Sequence, residues 1–492
     1  MTQENGKLHV VFIPYLTPSH MIPLVDTARL FASHGIKVSI ITTPYNALLF
    51  QSSTDHAIDS GHQIYVHKLE FPSAEVGIPE GIENFSAATT TEMATGVFMG
   101  VALLQKPMED LIFELRPHSI ISDLFFPWTV DVAEQLKIPR LMFYPTNVMF
   151  QCVEHCLKLY TPHEKVSSDS ESFLVPGLPD KIEMKRSQLP DDVKTKPEGP
   201  YWDLMKRIKE SEPRSYAMIY DTIYDLEPSY AELYQKIKGK KPWLIGPLFH
   251  FSKREEAISK SRNTAVQERH SSLSWLDSQK QNSVVYICFG SMGRFSDAQL
   301  TEIALALEAS DLSFLWVVRK GDKTQENEQE SWLPIGFEQK MLTNNKGLIA
   351  RGWVPQLKIL NHPATGAFMT HCGWNSTLES LTAGVPMLTW PLFAEQFYNE
   401  KLVELLGCGI GVGAEVWHIS FDIKDKIVKK EKIEESMKML MSTSMESEKI
   451  RSRGKDIEAM VKRAVEEGGS SYNHLTAVIQ ELKCHAFGTL GK

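Results

Sequence analysis

The sequence contains little that would indicate a membrane protein, a nucleic-acid-binding protein or a disulfide-stabilised fold. Its 492 residues include only six cysteines, and no apolar run reaches the roughly 18 residues that cross a bilayer. The net charge is −9 and the basic residues are scattered, which argues against the basic face that nucleic acids require. The first residues do not form a signal peptide. We therefore expect a monomeric cytoplasmic protein with reduced cysteines and no stable membrane insertion.

What the sequence does contain is an alternation of short β-branched apolar runs with amphipathic stretches of about 10–15 residues, which is typical of parallel sheets covered by helices. Two such series are present, and they predict an α/β protein with two Rossmann-like, doubly wound domains facing across a cleft. The predicted strands begin at His9, Lys37, Ser119, Arg140 and Ala217 in the first series, and at Val284, Phe314, Leu348, Gly366 and Pro386 in the second.

A polar, charged stretch separates the two series and is read as a linker. We predict an N-terminal acceptor-binding domain over residues 1–246, a linker over 247–274 and a C-terminal donor-binding domain over 275–470. Residues 471–492 are predicted to form a C-terminal helix that packs back on the N-terminal domain.

The most informative pattern is a strand, a tight turn and a helix. An apolar strand ends at Thr370, the turn follows at His371–Gly373, and the helix runs to Gly384, with Asn375, Ser376 and Thr377 as candidate N-cap residues. Free N–H groups and the helix dipole at such a start favour an anion such as a diphosphate. The pattern alone is equally compatible with an ordinary capped helix.

The segment from Trp353 to Gln396 reads WVPQLKILNHPATGAFMTHCGWNSTLESLTAGVPMLTWPLFAEQ. It resembles the signature segment of plant family-1 UDP-dependent glycosyltransferases in length and at nearly every defining position. The stretches PSHMIPLVDTARLFASHG, SDLFFPWTVDVAEQL and YICFGSM extend the resemblance to both domains. They are most similar to the subgroup that glycosylates triterpenoid saponins and flavonoids. The resemblance implies the GT-B architecture and a UDP-sugar as co-substrate, with no cofactor.

The resemblance also implies which residues bind the donor. Trp353 would stack on the uracil and the Val354 backbone would read its edge, while Gln356 and Glu379 would bind the ribose. The diphosphate would lie on Ser291, His371, Asn375 and Ser376 beside Gly373, and the sugar would face Trp374, Glu395 and Gln396. Two alternatives stay open from the residues themselves, because Trp374 could be a core aromatic and Glu379 a solvated helix position.

The resemblance places the catalytic base at His20 and its orienting carboxylate at Asp123. His20 would take the proton of the acceptor hydroxyl, and Asp123 would fix the histidine tautomer. The displacement would be single and inverting, without a metal, and the donor region holds no Asp-x-Asp pair. From position alone, His20 could be structural and Asp123 could be an N-cap residue before the stretch FFPW that starts at Phe125.

The resemblance indicates the sugar and the acceptor less directly than it indicates the nucleotide. In the family, Gln at the place of Gln396 goes with UDP-glucose, while glucuronic acid, which needs an arginine such as Arg29 or Arg351, and galactose stay open. The predicted acceptor is a lipophilic hydroxyl or carboxyl compound, foremost a triterpenoid sapogenin and alternatively a flavonoid or isoflavonoid. The candidate acceptor residues are Phe125, Trp128, Tyr144 and Asn147. Ser19 stands where many relatives have Gly.

Two other function classes fit the sequence less well. A nicotinamide dehydrogenase would need the spacing GxGxxG at a helix start, and the glycines from Gly407 to Gly413 do not have that spacing. A binding protein without activity would not need both His20 and Asp123. The sequence therefore predicts a UDP-glycosyltransferase.

Overall fold

A computed structural model of the chain describes residues 6–195, 197–251, 271–318, 332–418 and 426–488. By its internal contacts the chain divides into two units. The first comprises Met1–Val148, Pro197–Ser261 and Ala464–Lys492, and the second comprises Met149–Lys196 and Arg262–Arg463. The segment 149–196 thus groups with the second unit, whereas the sequence predicts it in the first domain. Most of the predicted linker, residues 252–270, lies outside the described residues.

The strands within the described residues agree closely with the apolar runs of the sequence. They are β1 (His9–Ile13), β2 (Lys37–Thr42), β3 (Ile64–Lys68), β4 (Ser119–Asp123), β5 (Arg140–Tyr144), β6 (Ser172–Leu174), β7 (Glu183–Lys185), β8 (Ala217–Tyr220), β9 (Pro242–Leu244), β10 (Val284–Cys288), β11 (Ser313–Val318), β12 (Gly347–Arg351), β13 (Thr365–Thr370), β14 (Met387–Thr389) and β15 (Gly409–Gly411). The sequence did not predict β3, β6, β7, β9 or β15. All five are edge strands or a hairpin, where the apolar pattern is weakest.

The first unit is built on a seven-stranded parallel sheet in the order β3-β2-β1-β4-β5-β8-β9. Its central strands are buried on both faces, because helices cover them. The helices of this unit are Pro18–Ser33, Pro44–Ala47, Gln51–Asp59, Thr91–Leu103, Gln105–Leu115, Thr129–Leu136, Pro200–Ser211, Pro228–Lys238, Leu248–Phe251 and Ser470–Phe487. The last of these adds Leu475, Val478 and Leu482 to the core of this unit.

The second unit is built on a six-stranded parallel sheet in the order β12-β11-β10-β13-β14-β15, with β6 and β7 as a separate antiparallel hairpin. Its helices include Val148–Tyr160, Asp191–Lys194, Asp297–Ser310, Phe337–Thr343, Gln356–Leu360, Trp374–Ala383, Gln396–Leu406, Lys430–Met441 and Met445–Val465. The first of these begins with one residue of the other unit, and the last ends with two. Each unit is therefore a parallel sheet with helices on its faces, and the predicted fold class of two Rossmann-like domains is confirmed.

Candidate active site

In the first unit, the structure brings His20 and Asp123 together. Asp123 is the last residue of β4, and His20 lies in the first turn of the helix Pro18–Ser33, which follows β1. Because β1 and β4 are parallel neighbours, their carboxyl ends meet at one edge of the sheet. Nδ1 of His20 lies 2.8 Å from Oδ2 of Asp123. A carboxylate can only accept this bond, so Nδ1 carries the proton and Nε2 is left to receive another.

The Asp123 carboxylate is held on both of its oxygens. Its side chain is fully buried, and Oδ1 accepts a bond from the Phe125 N–H at 3.0 Å. One oxygen thus faces His20 and the other holds the turn at Phe125, whereas the N-cap of the following helix Thr129–Leu136 is Trp128 and not Asp123. The His20 side chain is 20% exposed, which leaves its ring reachable from solvent.

Aromatic side chains enclose the histidine ring. The ring centroids of Tyr15 and Phe125 lie 6.0 and 5.4 Å from that of His20, and Tyr15 and Phe125 stack at 4.4 Å. Burial, together with the nearby charge of Asp123, raises the pKa of Tyr15 well above its ordinary value. Tyr15 is the second residue after β1, so its place at this sheet edge could have been predicted from the sequence.

The four candidate acceptor residues do not share one environment. Phe125 is half-buried against His20, as described above. Trp128, Tyr144 and Asn147 are buried, and the Tyr144 ring stacks on Tyr220 at 5.0 Å. Phe125 is thus the candidate for which a ring contact with His20 is described, and the acceptor roles of all four residues stay predictions.

A buried arginine forms hydrogen bonds to both ends of the loop that follows Asp123. Arg140 is 2% exposed and donates from Nε to the hydroxyls of Ser122 (3.1 Å) and Thr129 (3.0 Å). Its Nη1 donates to Ser215 at 2.6 Å, and Nη2 reaches the carbonyl of Phe126 at 3.4 Å. Burial lowers the pKa of Arg140 to about 10, so the guanidinium keeps its charge at neutral pH. The loop from Asp123 to Thr129 is thereby fixed at both ends.

In the second unit, most of the predicted donor residues lie at the carboxyl edge of the sheet. The last residues of β10, β13 and β14 are in register, with Cys288 beside Thr370 and Thr370 beside Thr389. The chain after each strand contributes predicted residues: Ser291 after β10, His371 to Glu379 after β13, and Glu395 and Gln396 after β14. Ligands of doubly wound sheets bind at this edge.

The turn after β13 leads straight into a helix without a side-chain cap. Cys372 adopts a left-handed conformation (φ 62°), and Gly373 is the N-cap of the helix Trp374–Ala383. The predicted N-cap residues Asn375, Ser376 and Thr377 lie inside the helix, so that prediction was wrong. The helix starts earlier because the left-handed Cys372 already turns the chain. The N-cap residue is a glycine and therefore makes no side-chain bond to the first N–H groups, which suits an anion at this helix start.

The imidazole ring of His371 packs closely against two glycines. A Cβ on Gly290 would lie 2.6 Å from the His371 ring, and one on Gly373 would lie 2.4 Å from it. Burial lowers the pKa of His371 to about 4, so the imidazole is neutral at pH 7. Its buried Nδ1 has no hydrogen-bond partner within the described part of the chain. Such an orphaned polar atom suits a ring that completes its hydrogen bonds with a ligand.

The predicted ribose-binding residues hold one another. Gln356 Nε2 donates to Glu379 Oε2 at 2.6 Å and to Ser376 Oγ at 3.0 Å, and the Tyr286 hydroxyl donates to Gln356 Oε1 at 3.0 Å. Glu379 is 9% exposed, so it is not a solvated helix position. Tyr286, on β10, is a member of this network that the sequence did not indicate.

The two predicted tryptophans differ in exposure. Trp353 is 53% exposed, an unusual state for such a large ring and one that leaves a face for stacking. Val354 beside it is buried. Trp374 is only 2% exposed, so its indole lies in the interior and presents no open face to a sugar. The sequence-based alternative of a core aromatic therefore describes the Trp374 ring.

Gln396 is engaged with its own loop. Its side-chain oxygen accepts the backbone N–H groups of Leu392 (2.9 Å) and Phe393 (3.0 Å). Glu395 Oε1 accepts from Asn399 Nδ2 at 3.2 Å, and the same amide donates to the carbonyl of Cys372 at 2.8 Å. Gln396 can therefore offer a ligand its amide N–H groups but not its oxygen. Asn399, which joins this loop to the turn after β13, was not predicted.

The two arginines considered for a sugar carboxylate are both paired with acidic residues. Arg29 Nη1 lies 3.1 Å from Asp26 Oδ1 within the helix Pro18–Ser33. Arg351 donates to both oxygens of Glu338, each at 2.8 Å. Both guanidinium groups are thus engaged by a carboxylate of the protein.

Comparison with known proteins decides the family. A family model described as UDP-glucoronosyl and UDP-glucosyl transferase matches residues 204–442. The chain is 51% identical to a nuatigenin 3-beta-glucosyltransferase of Solanum aculeatissimum, over 98% of each chain. It is 48% identical to a solanidine UDP-glucose glucosyltransferase of Solanum tuberosum, again over 98% of each. The chain belongs to the plant UDP-glycosyltransferases.

Solved structures agree with this assignment. The Glycyrrhiza uralensis UGT73P12 complexed with glycyrrhetinic acid 3-O-monoglucuronide matches with a TM-score of 0.91 and 41% identity, over 98% of this chain and 96% of that one. A Medicago truncatula UGT71G1 complexed with UDP-glucose matches with a TM-score of 0.77 and 27% identity, over 98% of this chain and 100% of that one. This UDP-glycosyltransferase therefore has the predicted GT-B fold.

The described residues of this UDP-glycosyltransferase lack two further features. No described helix has both the length and the apolar character needed to cross a membrane. The described residues also contain no group of three His, Cys, Asp or Glu side chains placed to hold a metal ion.

Proposed function

We propose that this UDP-glycosyltransferase transfers glucose from UDP-glucose to a hydroxyl of a polycyclic sapogenin, with His20 as the general base. The observation that carries the proposal is the 2.8 Å bond between His20 Nδ1 and the buried carboxylate of Asp123. It leaves Nε2 to take a proton and places a negative charge where an imidazolium would form. A general base positioned in this way contributes on the order of 10²–10⁴ to a rate.

The sugar would be transferred in a single displacement. The acceptor O–H gives its proton to His20 Nε2 while its oxygen forms a bond to the anomeric carbon of the donor. The bond from that carbon to the diphosphate oxygen breaks, and UDP leaves with the electron pair. Attack opposite the leaving group inverts the anomeric configuration, so an α-linked donor gives a β-glycoside.

The leaving diphosphate would lie at the start of the helix Trp374–Ala383. The N–H groups of its first turn, the neutral imidazole of His371 and the hydroxyls of Ser291 and Ser376 are donors suited to phosphate oxygens. A neutral His371 acts as a hydrogen-bond donor, so it needs no proton uptake to bind the donor at neutral pH.

Glucose is favoured over glucuronic acid on two grounds. Arg29 and Arg351 already pair with Asp26 and Glu338, and a sugar carboxylate would have to compete with these partners. Gln396 presents only N–H donors, which suit the oxygens of neutral sugar hydroxyls. Galactose differs from glucose at one hydroxyl only, and it remains the second donor to test, since a soyasapogenol B glucuronide galactosyltransferase of Glycine max is 43% identical.

The sapogenin class is supported by the relatives. The names of two of them specify nuatigenin and solanidine, and UGT73P12 was crystallised with glycyrrhetinic acid 3-O-monoglucuronide. A flavonoid acceptor is the second candidate, because a flavonoid 3-O-glucosyltransferase of Fragaria ananassa is 45% identical.

The test is a panel that crosses UDP-glucose, UDP-galactose and UDP-glucuronic acid with triterpenoid and steroidal sapogenins and with flavonols, read by product mass. We expect a gain of one hexose on a sapogenin with UDP-glucose. Transfer only from UDP-glucuronic acid would overturn the donor proposal. Transfer only to flavonols would overturn the acceptor proposal, and binding without turnover of any pair would overturn the catalytic one.

A further inference from the structure

The loop after β14 carries an unusual backbone at its tip. We call residues Leu392–Gln396 the sugar loop, because Glu395 and Gln396 are its predicted sugar-facing residues. Ala394, at its centre, has φ 51°, the left-handed region that alanine avoids. Gln396 stabilises the loop from within by accepting two of its N–H groups. These two bonds do not involve the carbonyl of Ala394. The left-handed conformation of Ala394 therefore needs a stabilising contact from another segment.

A second segment supplies this support from outside the loop. We call residues Glu415–His418 the strap. The indole Nε1 of Trp417 donates to the carbonyl of Ala394 at 3.0 Å, and the His418 N–H donates to the carbonyl of Leu392 at 3.1 Å. Trp417 is 8% exposed, so its bond to Ala394 is shielded from water. Both carbonyls that flank Phe393 are thus held by the strap.

The strap is itself anchored on its other side. The Trp417 N–H donates to the carbonyl of Ser187 at 2.9 Å, and Glu415 Oε1 lies 2.6 Å from Lys185 Nζ at the end of β7. Lys194 Nζ lies 6.0 Å from the centre of the Trp417 ring, within reach of a cation–π contact. The strap therefore links the sugar loop to residues 185–194.

We propose that Trp417 is a positioning residue for the donor sugar, and that it sets sugar affinity and selectivity by fixing the sugar loop. The proposal rests on the proposed function, since it takes this loop to face the sugar. Trp417 would not touch the uracil, ribose or phosphates, whose predicted ligands are in other segments. Its loss should therefore weaken the sugar part of donor binding and leave the nucleotide part intact.

The test compares Trp417→Phe with Trp275→Phe. The first change keeps an aromatic ring but removes the N–H that reaches Ala394. The control is matched, because Trp275 is also a buried tryptophan of this unit (9% exposed), and its indole N–H has no partner within the described residues. Affinities for UDP and for UDP-glucose are measured by calorimetry, which needs no turnover, and KM values for UDP-glucose and UDP-galactose are measured where transfer occurs.

For Trp417→Phe we expect UDP-glucose binding to weaken about fivefold to tenfold, the effect of one lost buried hydrogen bond, while UDP binding changes less than twofold. The preference for UDP-glucose over UDP-galactose, given by the ratio of the KM values, should decrease. Trp275→Phe should match the wild type in both affinities and in this preference. Equal weakening of UDP and UDP-glucose, or the same loss in Trp275→Phe, would overturn the proposal. So would an unchanged affinity for UDP-glucose.

The two proposals fail in different ways. If the wild type binds UDP-glucose but transfers no sugar, the proposed function fails, and the calorimetric comparison still tests Trp417. If transfer occurs and Trp417→Phe behaves as wild type, the positioning role alone fails. If the wild type binds neither UDP nor UDP-glucose, both are overturned.

Discussion

His20 Nδ1 donates to Asp123 Oδ2 across 2.8 Å, and the other oxygen of the same carboxylate accepts the Phe125 N–H. With both oxygens engaged, the carboxylate cannot rotate without losing a hydrogen bond. The imidazole is therefore held in the tautomer that keeps Nε2 unprotonated. A catalytic base needs this state before the acceptor arrives.

Two substitutions test separately the role of His20 as the proton acceptor and the role of Asp123 in orienting it. His20→Ala should lower kcat at least about 100-fold with UDP affinity unchanged, because it removes the base alone. Asp123→Asn should also lower kcat about 100-fold or more, since the amide can donate to Nδ1 and place the proton on Nε2. Steady-state kinetics and UDP titration measure both. Wild-type turnover in His20→Ala would contradict the base assignment.

A pair of variants tests the two functions of Gln396. Gln396→Glu keeps an acceptor for the N–H groups of Leu392 and Phe393 but loses the amide donor and adds a charge. It should keep the wild-type Tm and raise the KM for UDP-glucose about tenfold or more. Gln396→Leu loses both functions, so it should also lower the Tm. An unchanged KM in both variants would show that Gln396 does not bind the sugar.

Glu400 gives a stability prediction in the alkaline direction. Burial and the nearby Glu404 raise its pKa to about 8, and its Oε1 accepts from the Thr389 hydroxyl at 2.7 Å. The folded chain keeps this proton while the unfolded chain loses it above about pH 4.5, so stability falls as pH rises from 4.5 to 8. Glu400→Gln should therefore gain about 2 kcal/mol at pH 8 and almost nothing at pH 4.5, measured by denaturant unfolding. Equal stability at pH 8 would contradict the prediction.

His474 gives a prediction in the acid direction. It lies on the helix Ser470–Phe487, its Nδ1 accepts the Leu244 N–H at 3.1 Å, and burial lowers its pKa to about 4. The unfolded chain takes up this proton below about pH 6.5 and the folded chain does not, so stability falls as pH drops from 6.5 to 4. His474→Asn keeps an acceptor near Nδ1 without the titration. Its unfolding free energy should fall about 1 kcal/mol less than the wild type's between pH 7 and pH 4.5. A parallel decline in both proteins would exclude this contribution.

The sequence predicts those parts of the site that depend on strand order. His20 follows the central strand β1 and Asp123 ends the central strand β4, and parallel neighbours bring such residues to one edge. The donor segment is similarly contiguous in the chain, so its position after β13 and β14 was foreseen. These predictions needed only local pattern and family resemblance.

The features that were missed depend on contacts between distant segments. Nothing near Arg140 in the sequence shows that its guanidinium is buried among Ser122, Thr129 and Ser215. The burial of the Trp374 indole and the link from Trp417 to Ala394 arise in the same way from packing. A side chain's type shows what it can bind, but its neighbours decide which of its atoms are already engaged.

The helix Ser470–Phe487 belongs to the core of the first unit, although the chain between residues 262 and 463 belongs to the second. On the ribosome, the first unit therefore lacks Leu475, Val478 and Leu482 until the second has been synthesised. Domains usually fold in the order of their synthesis. Here the first unit cannot complete its core until the C-terminal helix is synthesised, and its apolar surface stays exposed until then. Binding of a chaperone to nascent chains should therefore persist until this helix has left the exit tunnel.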